Sequence, residues 1–148
     1  MSLFDAIDTA ASGLSAERMR MDVTAENLAN AQTTRGADGQ PYRRKVVTLQ
    51  QDGGSNFGAT LDGAMGRGSA GGSGGVRVTG IAEDATPNRL VYDPGHPDAD
   101  ARGYVSMPNV QPVTEMVDLI SASRAYEANV TVMQTAKSMF AKTLEILR

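Results

Sequence analysis

The stretch PVTEMVDLISASRAYEANVTVMQTAKSMFAKTLEILR, residues 112–148, decides the fold, because it reads as one long helix. It contains no glycine and no proline after Pro112, whose missing N–H suits the first helical position. Apolar residues recur at steps of three and four, the spacing of one helical face. The residues at this spacing, most of them apolar, are Met116, Ile120, Ser123, Tyr126, Val130, Met133, Lys137, Phe140, Leu144 and Leu147. A second apolar face lies outside this set: Val117, Val132, Met139 and Ile146.

Residues 3–32 predict another long helix at the opposite end of the chain. Its apolar seam repeats every seven residues and consists of Ile7, Leu14, Met21 and Leu28. Leu3 and several alanines widen this seam. A heptad-like seam with small residues beside it favours close approach of another helix. Gly13 costs about 1 kcal/mol relative to alanine inside a helix. It does not interrupt the pattern.

Between the helices, residues 33–111 contain five of the six prolines and all but one of the 16 glycines. The glycine-rich stretch 52–75 loses much backbone entropy on ordering, so we expect a flexible loop there. Short runs of β-favouring residues surround it, and they predict strands at 42–50, 76–82, 90–92 and 104–107. Together they suggest a small antiparallel β unit.

These zones predict a mainly α protein with a small β unit, divided as 1–34, 35–111 and 112–148. We expect the long terminal helices to pair as an antiparallel coiled coil. Such a pair buries one seam of each helix and leaves the second face of the C-terminal helix uncovered. Two interpretations follow: an isolated helical hairpin capped by β structure, or a subunit whose helices are completed by neighbours. Large exposed apolar patches mark interaction sites and favour the second.

Composition excludes several classes of partner and of functional site. The 148-residue chain has a net charge of −3, which disfavours nucleic acid and anionic membranes as partners. It has no cysteine, which excludes disulfides, thiolate metal sites and cysteine nucleophiles, and a single histidine, His96. We expect no cleaved signal peptide and no transmembrane helix. This composition disfavours an enzyme.

Several motifs suggest chemistry but have simpler interpretations. Residues 66–71 match the G-x-G-x-x-G dinucleotide pattern but lack the preceding buried strand and following helix that the mechanism needs. Residues 98–103 begin like a calcium loop but continue as a turn. His96 is expected to be an exposed or hydrogen-bonded turn residue. The basic run 43–45 is interpreted as solvated strand charges or as partners of acidic neighbours. We therefore expect no catalytic, cofactor-binding or metal site, and no cofactor.

Several ordered motifs resemble those of one family. Asn27-Leu28-Ala29-Asn30, followed by Thr33, resembles the A-N-x-x-T signature of flagellar axial proteins. Other segments are similar to the proximal rod subfamily: 38–44, 90–100, 103–110, 115–117 and 121–129. The spacing between Thr33 and Tyr42 also fits the proximal rod better than the distal rod or hook. The resemblance covers nearly the whole chain apart from 52–75.

The resemblance implies a structural subunit of the proximal rod of the bacterial flagellar basal body. Family members leave the cytoplasm through the flagellar type III export apparatus, without a cleaved signal, and assemble in the periplasm. They form a helical tube that transmits motor torque. The implied partners are copies of the chain, other rod proteins, and membrane-ring and export-gate components at the rod base, with no nucleic acid and no small-molecule substrate. The alternative is a soluble cytoplasmic helical-hairpin adaptor or chaperone.

We predict that the assembly interface consists mainly of the apolar helix residues. Within one subunit, the first-helix seam is expected to pack on Val130, Met133, Phe140 and Leu144, while Val117, Val132, Met139 and Ile146 meet adjacent subunits. Asn30 is expected to cap the helix end or to bond the backbone of a neighbour. The complete predicted set is Leu3, Ile7, Leu14, Met21, Leu28, Asn30, Thr33, Tyr42, Val117, Ile120, Tyr126, Val130, Met133, Met139, Phe140 and Leu144.

Overall fold

A computed structural model describes residues 3–36, 38–52 and 74–146. Its elements, in chain order, are α1 (Leu3–Ala29), β1 (Lys45–Asp52), β2 (Gly75–Glu83), β3 (Arg89–Tyr92), β4 (Tyr104–Met107) and α2 (Pro112–Ile146). The prediction of a mainly helical protein with a small β unit is confirmed. Helix α2 begins at Pro112, as its missing N–H predicts. The predicted loop at 52–75 lies outside the described residues, apart from Asp52, Gly74 and Gly75.

The strands form two two-stranded sheets. β1 pairs with β2, and β3 pairs with β4. The β3–β4 pair is antiparallel, with Leu90 opposite Ser106 and Tyr92 opposite Tyr104. Val105, on the other face of β4, is only 1% exposed. The β3–β4 hairpin therefore has one buried and one outward face.

The described chain divides into two compact units, and each draws on both helices and on strands. The first comprises 1–17, 49–79 and 124–148, and the second comprises 18–48 and 80–123. The three-zone division by sequence remains a prediction. No helix among the described residues is long and apolar enough to cross a membrane.

Within the first unit, α1 makes two close contacts that depend on small residues. A Cβ atom added to Gly13 would lie 3.0 Å from the side-chain nitrogen of Asn129 on α2. A Cβ atom on Gly75 would lie 2.9 Å from Ser12 Oγ, which accepts a hydrogen bond from the backbone N–H of Val76 at 3.1 Å. The glycine that weakens helix propensity at position 13 is thus a point of close helix approach.

The buried apolar positions of both helices are mostly small. Those of α1 are Ala10, Ala16 and Val23, and those of α2 are Ala122 and Ala136. The predicted heptad residues of α1, including Leu14 and Met21, are half-buried beside that row. Small side chains in the buried row allow close packing, so larger apolar residues flank it.

Candidate functional site

The last turn of α1 holds a fully hydrogen-bonded buried amide, that of Asn27, which is 1% exposed. Its Oδ1 accepts from the backbone N–H of Lys45 and from the Tyr42 hydroxyl, each at 2.9 Å. Its Nδ2 donates to Lys45 O at 2.9 Å and to Glu115 Oε2 at 3.1 Å. Two donors and two lone pairs are all that an asparagine side chain offers. The Asn27 side chain therefore bonds both the N–H and the C=O of Lys45, as the backbone of a paired strand would at the start of β1.

Glu115, in the first turn of α2, is also only 1% exposed. Its second oxygen, Oε1, accepts a bond from Arg44 Nε at 2.6 Å. A buried carboxylate costs several kcal/mol in desolvation unless it is paired and hydrogen-bonded, and here each oxygen has a partner. We refer to Asn27, Arg44 and Glu115, which join three distant segments within the second unit, as the Asn27–Arg44–Glu115 cluster.

Arg44 is the cation of this cluster, and its side chain is 26% exposed. Two further carboxylates approach its guanidinium, Asp118 at 3.4 Å and Asp84 at 3.8 Å. The hydrogen bond to Glu115 is the largest cause that raises the pKa of Arg44 above its usual value, and the charges of the three carboxylates raise it further. Burial acts in the opposite direction and lowers the pKa. Its backbone is held as well, because its N–H donates to Asn109 Oδ1 at 2.7 Å and its C=O accepts from the Asp84 N–H at 2.8 Å.

Tyr42 and Lys45 border the cluster. Burial, reinforced by the negative charges of Glu26, Glu115 and Glu83, raises the pKa of Tyr42 from 10.0 to about 12. Its hydroxyl is therefore neutral at physiological pH and donates to Asn27. The Lys45 ammonium lies 2.5 Å from Glu26 Oε1 and 5.7 Å from the centre of the Tyr42 ring.

Residues just after α1 close its carboxyl end. Glu26 O accepts from both the backbone N–H and Nδ2 of Asn30, at 3.1 and 2.9 Å, and Thr33 Oγ1 donates to Asn30 Oδ1 at 3.1 Å. Thr34 Oγ1 then bonds Asp98 Oδ2 at 2.8 Å. α1 ends at Ala29, three residues before the predicted end, because the backbone then turns: the Ala31 N–H bonds Leu28 O at 3.3 Å and the Thr33 N–H bonds Asn30 O at 3.1 Å. The Thr34–Asp98 bond attaches the following loop to the segment before β4.

Other motifs take structural roles where they are described. His96 Nδ1 accepts from the Asp98 N–H at 3.1 Å, as expected of a turn histidine. In the calcium-like string, Asp100 Oδ1 accepts from the N–H groups of Arg102 and Tyr104, at 2.8 and 2.9 Å, and closes the hairpin loop. No group of three histidine or acidic side chains in the described segments could hold a metal ion. The string at 66–71 lies outside those segments.

The structure spreads the predicted interface residues over both exposed and half-buried positions. The exposed ones are on α2, and their relative exposures are Val117 60%, Ile120 54%, Met139 57%, Phe140 41% and Leu144 53%. The half-buried ones are Ile7, Leu14, Met21, Leu28, Asn30, Thr33, Tyr42, Tyr126, Val130 and Met133. The side chain of Leu3 lies outside the described part. The structure brings only Tyr42 of this set into the polar cluster.

Sequence reasoning missed Asn27, Arg44 and Glu115 as a buried site. All three stand in the motifs quoted for the family resemblance, in separate segments of the chain. The signal available was a polar residue at a helical position next to an apolar seam, together with an arginine among β-favouring residues. For Arg44, the second interpretation of the basic run, a partner of acidic neighbours, describes the observed contacts.

Comparison with known proteins gives consistent matches at both ends and along the whole length. Residues 7–37 match the family model described as flagella basal body rod protein, and residues 101–146 match flagellar basal body rod FlgEFG protein C-terminal. The chain is 51% identical to the flagellar basal-body rod protein FlgC of Bacillus subtilis, with 99% of each chain covered. It is 47% identical to that of Salmonella typhimurium, with 99% of this chain and 98% of the relative covered. The Borreliella burgdorferi protein is 45% identical, with 100% and 99% covered.

Proposed function

The chain belongs to the FlgC family of flagellar basal-body rod proteins, and on that premise we propose that it polymerises in the proximal rod as a helical tube that transmits motor torque. It is a structural subunit of the flagellar basal-body rod and assembles with other basal-body proteins. The observation that carries the finer proposal is the large apolar surface that α2 leaves exposed. A tube that transmits torque must be stiff, and stiffness requires each helix to pack against several neighbours.

Pairing of α1 and α2 as an antiparallel coiled coil is part of the proposal. Two contacts support it, each inside its own unit: Gly13 against Asn129, and Asn27 against Glu115. In the second unit, the Asn27–Glu115 bond joins the last turn of α1 to the first turn of α2, as an antiparallel pair requires.

The exposed apolar side chains of α2 are the proposed contacts with adjacent subunits. In the carboxyl-terminal half they are Val132 and Met139, 50% and 57% exposed and seven residues apart on one face of the helix. Exposed apolar surface that runs along a helix marks an interaction site. Packing against neighbours in the rod would cover Val132 and Met139.

We further propose that the chain is exported through the flagellar type III apparatus without a cleaved signal and assembles in the periplasm. There it would contact copies of itself, other rod proteins, and ring and export-gate components at the rod base. No enzymatic role is proposed, because the buried polar groups of the cluster bond one another. The alternative of a soluble adaptor or chaperone is not supported by the relatives, which are named as rod proteins.

The primary test is a clean deletion of the gene with complementation, scored by swimming and by electron microscopy of purified basal bodies. We expect basal bodies that stop at the membrane ring, and restored rods and motility on complementation. Complete rods in the deletion strain would refute the role.

A pair of substitutions tests the proposed interface directly. Met139→Asp places a charge on the exposed apolar patch, whereas Gln134→Asp adds the same charge at an exposed polar position of the same helix. We expect Met139→Asp to abolish complementation, although the variant is still exported and its circular dichroism spectrum shows that it is folded. We expect Gln134→Asp to complement. Normal rods containing Met139→Asp subunits would contradict the assignment of this face.

A further inference from the structure

A buried asparagine shares the second unit with helix positions whose buried side chains are small and apolar. Val23 on α1 and Ala122 on α2 are 5% and 1% exposed. Asn27 on α1 is 1% exposed and makes four hydrogen bonds. A single buried polar residue between paired helices costs stability relative to an apolar residue, and its best-attested use is to specify the register of the pair.

Buried positions on both helices recur seven residues apart. On α2, Ala122 lies seven residues after Glu115 and fourteen residues before Ala136. On α1, Val23 lies seven residues after Ala16. After a shift by one heptad, rows of this kind again place small apolar side chains in contact. Apolar packing of small, similar residues therefore discriminates poorly between the two registers.

We propose that Asn27 is a register-determining residue, whose bond to Glu115 selects the native register of α1 on α2 against registers shifted by one heptad. This inference rests on the antiparallel pairing put forward under the proposed function. In the native register, Asn27 Nδ2 donates to Glu115 Oε2 at 3.1 Å. In the register shifted by one heptad along α2, Asn27 would lie beside Ala122, whose methyl group accepts no hydrogen bond. Glu115 would at the same time lose one of its partners.

The connections of the two helices show which of them a shift would move. Residues 108–111 join β4 to α2, and residues 30–44 join α1 to β1. A one-heptad shift moves a helix by about 10 Å, at 1.5 Å per residue. The segment 30–44 reaches about 50 Å when extended, at roughly 3.3 Å per residue, so it can follow such a movement of α1. The position of α1 therefore depends on side-chain contacts such as those of Asn27.

A second attachment after α1 opposes a shift but is easier to replace. Thr34 Oγ1 bonds Asp98 Oδ2 at 2.8 Å, and the Asp98 side chain is 27% exposed. Water can satisfy these two groups when their bond breaks. Asn27 and Glu115 are each 1% exposed, so a bond lost between them leaves buried polar atoms unsatisfied. The difference in stability between registers therefore arises mainly at Asn27 and Glu115.

Distances between two spin labels measure the register, because the chain contains no cysteine of its own. The labels are attached at Arg18→Cys on α1 and Thr114→Cys on α2, which are exposed positions of the second unit. The two sites lie at different levels of an antiparallel pair in which Asn27 faces Glu115. A shift of about 10 Å along the helix axis in either direction therefore changes their separation. The cysteine variant must first restore swimming, and distances are then measured on the purified full chain.

The test variant combines Asn27→Leu with Glu115→Met, which replaces both buried polar groups with apolar ones of similar size. Arg44 keeps Asp84 and Asp118 as its partners in this variant. Asn27→Leu alone is the second variant, in case the double variant fails to fold. Two controls separate other causes: Val23→Ala removes buried apolar packing from the same helix, and Thr34→Ala removes the bond to Asp98.

We expect one narrow distance in the parent chain and in both controls. The test variants should keep their helical circular dichroism and add a second population, displaced by about 10 Å along the helix axis. A folded test variant that keeps only the parent distance would overturn the inference, because the apolar rows would then set the register. A second population in Thr34→Ala, or loss of folding in both test variants, would overturn it as well. A broad distribution in the parent chain would instead refute the proposed pairing, and failure of the wild-type gene to complement would refute the rod function.

Discussion

Replacing Arg44 with alanine removes the cation from a carboxylate that water does not reach. Glu115 is 1% exposed, and its Oε1 loses its 2.6 Å partner, while Oε2 keeps the 3.1 Å bond from Asn27. Removal of one member of a buried ion pair costs about 3–5 kcal/mol. Because one hydrogen bond to Glu115 survives, we expect the lower end, about 3 kcal/mol. The backbone bonds of residue 44 are unaffected by the substitution.

Urea denaturation followed by circular dichroism measures this loss. With a slope of about 2 kcal/mol per molar urea, a loss of about 3 kcal/mol lowers the midpoint by about 1.5 M. Arg43→Ala is the matched control, since the neighbouring arginine is exposed. We expect Arg43→Ala to change the free energy of unfolding by no more than about 0.5 kcal/mol.

A second substitution separates loss of the buried pair from loss of arginine packing. Arg44→Ala combined with Glu115→Gln removes the unpaired buried charge, so the double variant should be more stable than Arg44→Ala alone. Additivity of the two single effects would mean that the residues do not interact. Equal midpoints for Arg43→Ala and Arg44→Ala would refute the view that this ion pair fixes the second unit.

Three further outcomes follow from the local geometry. Because the pKa of Tyr42 is raised from 10.0 to about 12, its stabilising contribution is complete below pH 10 and is lost as the pH rises to about 12. Tyrosinate absorbance should include a step near pH 12, and Tyr42→Phe should remove that step. Gly13→Leu should lower the free energy of unfolding by about 1–3 kcal/mol, because its side chain enters the 3.0 Å helix contact. Gly103→Ala should cost about 1–2 kcal/mol because its φ is +80°, whereas Gly80→Ala, with open space around it, should leave the urea midpoint nearly unchanged.

The secondary structure was predictable because it depends on the local spacing of apolar residues and on the glycines and prolines that interrupt helices and strands. The strand at 104–107 and the start of α2 at Pro112 agree with the prediction. The end of α1 differs, because the backbone passes into a turn before the periodic pattern ends. After Ala29 the Ala31 N–H bonds Leu28 O at 3.3 Å instead of the carbonyl four residues back.

The polar cluster could not be predicted from the same signals. Asn27, Arg44 and Glu115 are far apart in the chain, and a local pattern does not report which distant segments meet. The apolar seam favours burial of Leu28, yet its neighbour Asn27 is the residue that is 1% exposed. Burial of an amide is stable only when all of its partners are present, and those partners come from Tyr42, Lys45 and Glu115.

Burial in the described chain is distributed in a way that suits a subunit of a larger assembly. Its buried apolar residues are mostly alanine and valine, whereas many leucine, isoleucine, methionine and aromatic side chains are exposed. Hydrogen bonds and ion pairs are directional, so the Asn27–Arg44–Glu115 cluster can fix which segments meet without covering large apolar side chains. Hydrophobic contacts are non-directional and scale with the area removed from water. The described chain therefore leaves large apolar side chains available for the contacts that we propose with neighbours in the rod.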